Sequence, residues 1–289
     1  VEYKVVITVQ TANTNYVMHD TMTDGLTFDK DSVKITVNGA DVPAANYTLS
    51  APGVKGETFS IAFDDDYIAS LSANTKIEVK YNAVVNEKAK IDPDANVNEA
   101  HLTFGNSQDT THDKTYTYLY QFDLIKFSGS TKKLLGGAQF KLYDAETGGN
   151  EIKLVKDNTT GIYRVATATE IANNNTVDHI ETVTGQTVLI SGLDKKVYWL
   201  EEILPPAGYN GLTERAKVDL TNGSKKVPTG YLASGTYDEL NAASIGGVPI
   251  VNNNGTTLPG TGGIGTTIFY VIGGGLMVAA GVLLITKKR

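Results

Sequence analysis

Alternation with a period of two runs through most of this chain and leaves little choice of fold. Val33, Ile35 and Val37 share one parity, as do Ile77, Val79, Tyr81, Ala83 and Val85, while the residues between them are mostly Lys, Glu, Asn and Thr. Successive strand side chains point to opposite faces, so such segments are strands with one face buried and one in water. Turn clusters, among them Asn38-Gly39, Ala51-Pro52-Gly53 and Gly148-Gly149-Asn150, interrupt them at the intervals of a sandwich. No long helical or heptad pattern competes before the C-terminal tail; a helix of one or two turns within 65–71 is the main exception. The chain reads as all-β, with tandem immunoglobulin-like β-sandwiches.

Composition narrows the setting. The net charge is −7 and the acidic and basic residues are interleaved, so no basic stripe marks a nucleic-acid partner. The chain has no cysteine, so if it is exported its domains are braced by something other than disulfides, or not at all. A polar stretch over 107–114 reads as a linker, which gives domains at 1–114 and 115–254, both of ordinary size. Residues 255–289 form a tether and tail. Val1 opens the chain with no leader ahead of it, and an exported protein needs one, so a C-terminal fragment is expected.

The tail carries an address. Residues 264–286 are an uncharged apolar run of about 23 residues, enough for a helix to cross a hydrocarbon core of about 30 Å. Lys287, Lys288 and Arg289 follow it and place the C-terminus in the cytoplasm. Directly ahead stands Leu258-Pro259-Gly260-Thr261-Gly262. The five residues alone are a weak signal, but before a spanning run and a basic stop they are a strong one, which neither a tail anchor nor a lipid-anchor signal accounts for. The tail resembles the LPXTG sorting signal of Gram-positive cell-wall-anchored proteins. That resemblance implies that a sortase cuts between Thr261 and Gly262 and joins the Thr261 carbonyl to an amine. The protein is then expected at the cell wall and surface, spanning the membrane until it is cut.

Polar residues follow apolar parity into the core at three places in the second domain: Lys126 after Phe122 and Leu124, Glu202 after Tyr198 and Leu200, and Asn252 after Val248 and Ile250. The residues alone leave a structural salt bridge with a bridging amide open, and leave Asn253 and Asn254 as rivals to Asn252. The stretches Leu135-Gly136-Gly137-Ala138-Gln139-Phe140-Lys141-Leu142-Tyr143 and Tyr198-Trp199-Leu200-Glu201-Glu202-Ile203-Leu204-Pro205-Pro206-Ala207-Gly208-Tyr209 resemble the collagen-adhesin B-type domains of Gram-positive pilins. Ile203 and Pro205 stand where Thr and Ala are usual. The resemblance implies an intramolecular isopeptide bond from Lys126 to Asn252, with Glu202 assisting.

The first domain carries a parallel, incomplete set. Asp20 follows Tyr16 and Met18, and Asn106 follows Leu102 and Phe104. The stretch from Tyr16 through Thr21-Met22-Thr23-Asp24-Gly25 to Phe28 resembles an A-type pilin domain, which implies Asp20 as the assisting acid and Asn106 as the acceptor. Asp20 as a turn or capping residue stays open beside it. Lys4 lies on the solvent parity, so the donor lysine is expected on a preceding strand.

No cofactor or metal is expected. His19, His101, His112 and His179 show no ligand spacing, Asp64-Asp65-Asp66 lacks the alternation of a calcium loop, and Gly273-Gly274-Gly275 lies within the membrane run. No nucleophile, base and orienter come together, so no enzyme is expected. The resemblance implies a structural subunit of a sortase-assembled pilus. A monomeric wall-anchored adhesin or stalk, or a stalk for an upstream enzyme, is the alternative. The implied partners are a sortase, neighbouring pilin subunits or peptidoglycan, and a host surface ligand.

Overall fold

The alternating segments are strands, and they assemble into two sandwiches. The computed structural model describes residues 1–10, 14–106, 108–237 and 246–255; the Leu258-Pro259-Gly260-Thr261-Gly262 motif and the run 264–286 lie outside the described residues. The first sandwich contains β1 (Glu2–Thr8), β2 (Val17–Met22), β3 (Leu26–Val37), β4 (Ala40–Asp41), β5 (Tyr47–Ser50), β6 (Phe59–Phe63), β7 (Lys76–Val85), β8 (Asn96–Phe104), β9 (Gln108–Asp109) and β10 (Asp113–Thr117). One sheet runs β1-β7-β3-β4 and the other β10-β8-β2-β6-β5, with β9 on β8. Tyr3 and Ile7 of β1 and Ile77, Val79, Tyr81 and Ala83 of β7 are buried, as their parity requires. They meet Tyr16, Met18, Phe59 and Ile61 from the facing sheet.

The stretch expected as a linker contains β9 and the start of β10. Strand β10 pairs antiparallel with β8, from Asp113↔Ala100 to Thr117↔Asn96, so the first sheet pair continues to Thr117. Its side chains are mostly exposed, which is why it lacks the apolar alternation of a buried strand. The short helix α1 (Asp65–Ser70) forms where expected. Asp64 caps it, accepting from the Tyr67 N–H at 2.9 Å, and Asp65 and Asp66 lie in its first turn, where the helix dipole favours negative charge.

The second sandwich contains β11 (Tyr120–Ser128), β12 (Gln139–Tyr143), β13 (Leu154–Lys156), β14 (Tyr163–Val165), β15 (Ile180–Glu181), β16 (Val188–Leu193), β17 (Val197–Leu204), β18 (Ala216–Asp219) and β19 (Val248–Asn252). Its sheets run β13-β14-β16-β11-β19 and β15-β12-β17-β18. Strand β11 departs from simple alternation, because both of its faces are covered. Phe122, Leu124 and Lys126 face the sandwich core, while Ile125 and Phe127 pack on Leu134, Leu232 and Tyr237. The first and last strands of this domain, β11 and β19, are parallel neighbours, with Lys126 opposite Ile250 and Ser128 opposite Asn252.

Candidate functional site

Strand parity and register bring Lys126, Asn252 and Glu202 to one point in the second core. Lys126 follows the inward apolar residues Phe122 and Leu124 of β11, and Asn252 follows Val248 and Ile250 of β19; both are buried. Glu202 arrives from the opposite sheet, where Phe140 pairs with Glu202 but Gln139 pairs with Leu204. That bulge makes Glu202 the last inward residue of β17 and leaves Ile203 and Leu204 exposed.

Lys126 Nζ donates to Asn252 Oδ1. Glu202 Oε1 lies 3.1 Å from Lys126 Nζ, and both side chains are entirely out of solvent. The same oxygen accepts from Asn252 Nδ2 at 2.9 Å. Glu202 Oε2 accepts from the Leu212 N–H at 2.8 Å, so the carboxylate is held at both ends. The turn Pro205-Pro206-Ala207-Gly208-Tyr209 delivers that N–H: Gly208 takes φ +84°, Tyr209 N–H returns to Pro206 O at 3.1 Å, and Asn210 N–H bonds to Asn253 O at 3.0 Å. Burial lowers the Lys126 pKa to about 8, against the opposing pull of Glu202, so the neutral amine is far more accessible near neutral pH than in an ordinary lysine. Asn253 and Asn254 are exposed, and Asn254 Oδ1 accepts from Ser130 Oγ at 3.0 Å.

The first core holds an acid and an amide, but not the amide expected. Asp20 is fully buried, and its Oδ2 accepts from Tyr81 Oη and, at 3.0 Å, from Asn98 Nδ2. Asn106 lies exposed in the turn after β8 and is not brought to Asp20. Asn98, Leu102 and Asn106 are in phase, but the register sets Ala100 opposite Asp20 and Asn98 opposite Met22, which leaves Asn106 beyond the strand. Burial raises the Asp20 pKa to about 6, although the Tyr81 and Asn98 hydrogen bonds pull it down. Among the described residues, Asp20 Oδ1 and Asn98 Oδ1 have no hydrogen-bond partner. A groove of about 950 Å³ runs beside them, between β1 and the edge formed by β8 and β10, lined by Tyr3, Tyr81 and Asn98. Lys4 is exposed and pairs with Glu78 at 2.9 Å.

The histidines are not scattered in the fold. His19, His101 and His112 come together on the outer face of the first domain, with Asp109 beside them, which the sequence spacing gave no sign of.

Comparison with known proteins agrees with these features. Residues 120–231 match the SpaA family, a prealbumin-like fold domain, and residues 250–289 match the LPXTG cell wall anchor motif. The trypsin-resistant surface T6 protein of Streptococcus pyogenes is 24% identical over 98% of this chain. The chain spans 62% of that relative's length. The group B streptococcus pilus 2b backbone protein superposes with a TM-score of 0.61 at 23% identity, covering 89% of this chain and 94% of its own. The pilus backbone RrgB of Streptococcus pneumoniae gives 0.58 at 15%, covering 88% and 92%.

Two β-sandwiches ahead of an LPXTG cell wall anchor motif define a surface protein of the Gram-positive cell wall. Within that class the chain resembles the pilus backbone proteins in fold, and residues 120–231 match the SpaA prealbumin-like fold domain.

Proposed function

We propose that this chain is a shaft subunit of a sortase-assembled pilus, braced by a Lys126–Asn252 isopeptide bond and attached covalently through Thr261. The observation that carries the bond is the position of Glu202 Oε1, within hydrogen-bond reach of both the nucleophilic and the leaving nitrogen. The neutral Lys126 amine attacks Asn252 Cγ and forms the Nζ–Cγ bond. Glu202 takes a proton from Nζ and passes it to Nδ2, the Cγ–Nδ2 bond breaks, and ammonia leaves. Folding supplies the effective concentration, and each chain reacts once, so the reaction is a maturation step.

Asp20 and Asn98 are the acid and acceptor of a second such bond. Its donor is a lysine on a further strand laid in the groove beside β1. The orphaned Asp20 Oδ1 and Asn98 Oδ1 support this, since two buried acceptors call for an N–H donor.

The test of the pilus reading is made in a host that produces the full-length protein with its sortases. A ladder of boiling-resistant multimers, lost on Thr261→Ala, is expected. A single wall-linked species in the presence of the assembly sortase would assign the protein to the monomeric adhesins or stalks instead.

A further inference from the structure

Three imidazoles lie in a row across the outer face of the sheet that contains β2, β8 and β10. His19 of β2 is the register partner of His101 of β8. His112 directly precedes β10, whose Asp113 pairs with Ala100, so it continues the row. The ring centroids are 4.7 Å apart for His19 and His101 and 4.0 Å apart for His101 and His112, with the second pair nearly parallel at 2°. This face is opposite to the one that carries Asp20, so the row takes no part in the isopeptide chemistry.

The nitrogens are not equivalent. Both of His19 are engaged, with Glu57 Oε1 at 2.5 Å and Thr103 Oγ1 at 2.9 Å, so His19 forms a wall of the cluster. His112 Nδ1 lies 2.5 Å from Glu99 Oε1. A carboxylate there holds the proton on Nδ1 and leaves the Nε2 lone pair outward. That Nε2 is 3.4 Å from Asp109 Oδ2, and His101 Nε2 is 3.9 Å from Asp109 Oδ1. One atom from each of His101, Asp109 and His112 lies within 4.8 Å of the others.

From this geometry we infer that His101, His112 and Asp109 form a binding site for a divalent transition-metal ion of the zinc class, with Glu99 positioning His112. Two imidazoles and a carboxylate are the donor set such ions take, at about 2.0–2.2 Å, with a fourth position left for water. Asp109 and His112 are partly exposed, so their side chains close the remaining distance by rotation. The ion would tie β8, β9 and the start of β10 together at an open sheet edge.

Calorimetric titration of the full chain, freed of metal by chelator and held in mild detergent, with ZnCl2 tests this. One site is expected. His101→Ala, His112→Ala and Asp109→Asn should each weaken it about tenfold or more, Glu99→Gln should weaken it by a similar factor through His112, and His179→Ala should leave it unchanged. Cobalt substitution should give visible absorption bands that His112→Ala abolishes. If His101→Ala fails to fold by circular dichroism, the exposed Asp109 and His112 variants decide. No zinc binding by the parent, or equal binding by the His112 and Asp109 variants, overturns the inference.

Discussion

Glu202 Oε1 lies 3.1 Å from Lys126 Nζ, with neither side chain reached by solvent. A charged lysine and a charged carboxylate in such a place cost several kcal/mol per ion in desolvation, and their attraction offsets this only in part. Joining Lys126 to Asn252 removes the amine charge from the core and releases ammonia to solvent. The same burial that makes the unlinked trio costly therefore supplies the neutral amine and favours the linked product.

The proposed bond would change the mass of the chain. Intact-mass measurement of the chain should fall about 17 Da below the sequence mass, the loss of one ammonia in aminolysis of an amide. Lys126→Ala and Asn252→Ala should each return the full sequence mass, since a reactant is gone. Glu202→Ala should do the same with both reactants present. A parent at its sequence mass would mean that no bond forms.

Much of this site was legible because parity is a local property. Lys126, Glu202 and Asn252 each end a short apolar series on their own strand, and the fold only had to bring three series ends together. Asn98 was hidden because choosing among in-phase residues requires the register of β8 against β2, which sequence does not carry. His19, His101 and His112 were hidden for the same reason, being neighbours only across strands. Strand β10 was divided between the expected linker and the second domain because a mostly exposed edge strand has no apolar alternation. The bulge after Glu202 has no separate sequence signal either; the unusual Ile203 is exposed there.

Stability should follow the bond. Lys126 and Asn252 are 126 residues apart, and by analogy with a disulfide closing such a loop the cross-link contributes about 5 kcal/mol. Asn252→Ala should melt lower by roughly 15 °C or more in the second-domain transition and lose resistance to trypsin. Equal melting and equal resistance, measured by scanning calorimetry and timed digestion, would show that β11 and β19 are not covalently tied.

Asp20 predicts a pH dependence of the first domain. Its pKa is raised from 3.8 to about 6 in the fold, so between these values the folded state binds more protons than the unfolded one. The contribution is fully present below pH 3.8 and is lost as pH rises through about 6. Between pH 7 and pH 4.5 the parent should gain about 2 kcal/mol relative to Asp20→Asn. Urea unfolding of both proteins at the two pH values measures this difference, and an unchanged gap would place Asp20 in an ordinary solvated environment.

The tail predicts the fate of the finished protein. Residues 255–260 are rich in Gly and Thr, too polar and too short to form a core, so the sequence predicts that Leu258-Pro259-Gly260-Thr261-Gly262 is accessible to an enzyme. On the proposed function the scissile bond is Thr261-Gly262, with Pro259 restricting the backbone ahead of it, and the apolar run with its basic stop would keep the substrate at the membrane until it is cut. In a host with sortase, the parent should end at Thr261 by C-terminal mass mapping and resist detergent extraction, because it is covalently held. Thr261→Ala should keep residues 262–289 and partition with detergent-soluble membrane proteins. A Thr261→Ala protein that still resists detergent would show that attachment runs through a different residue.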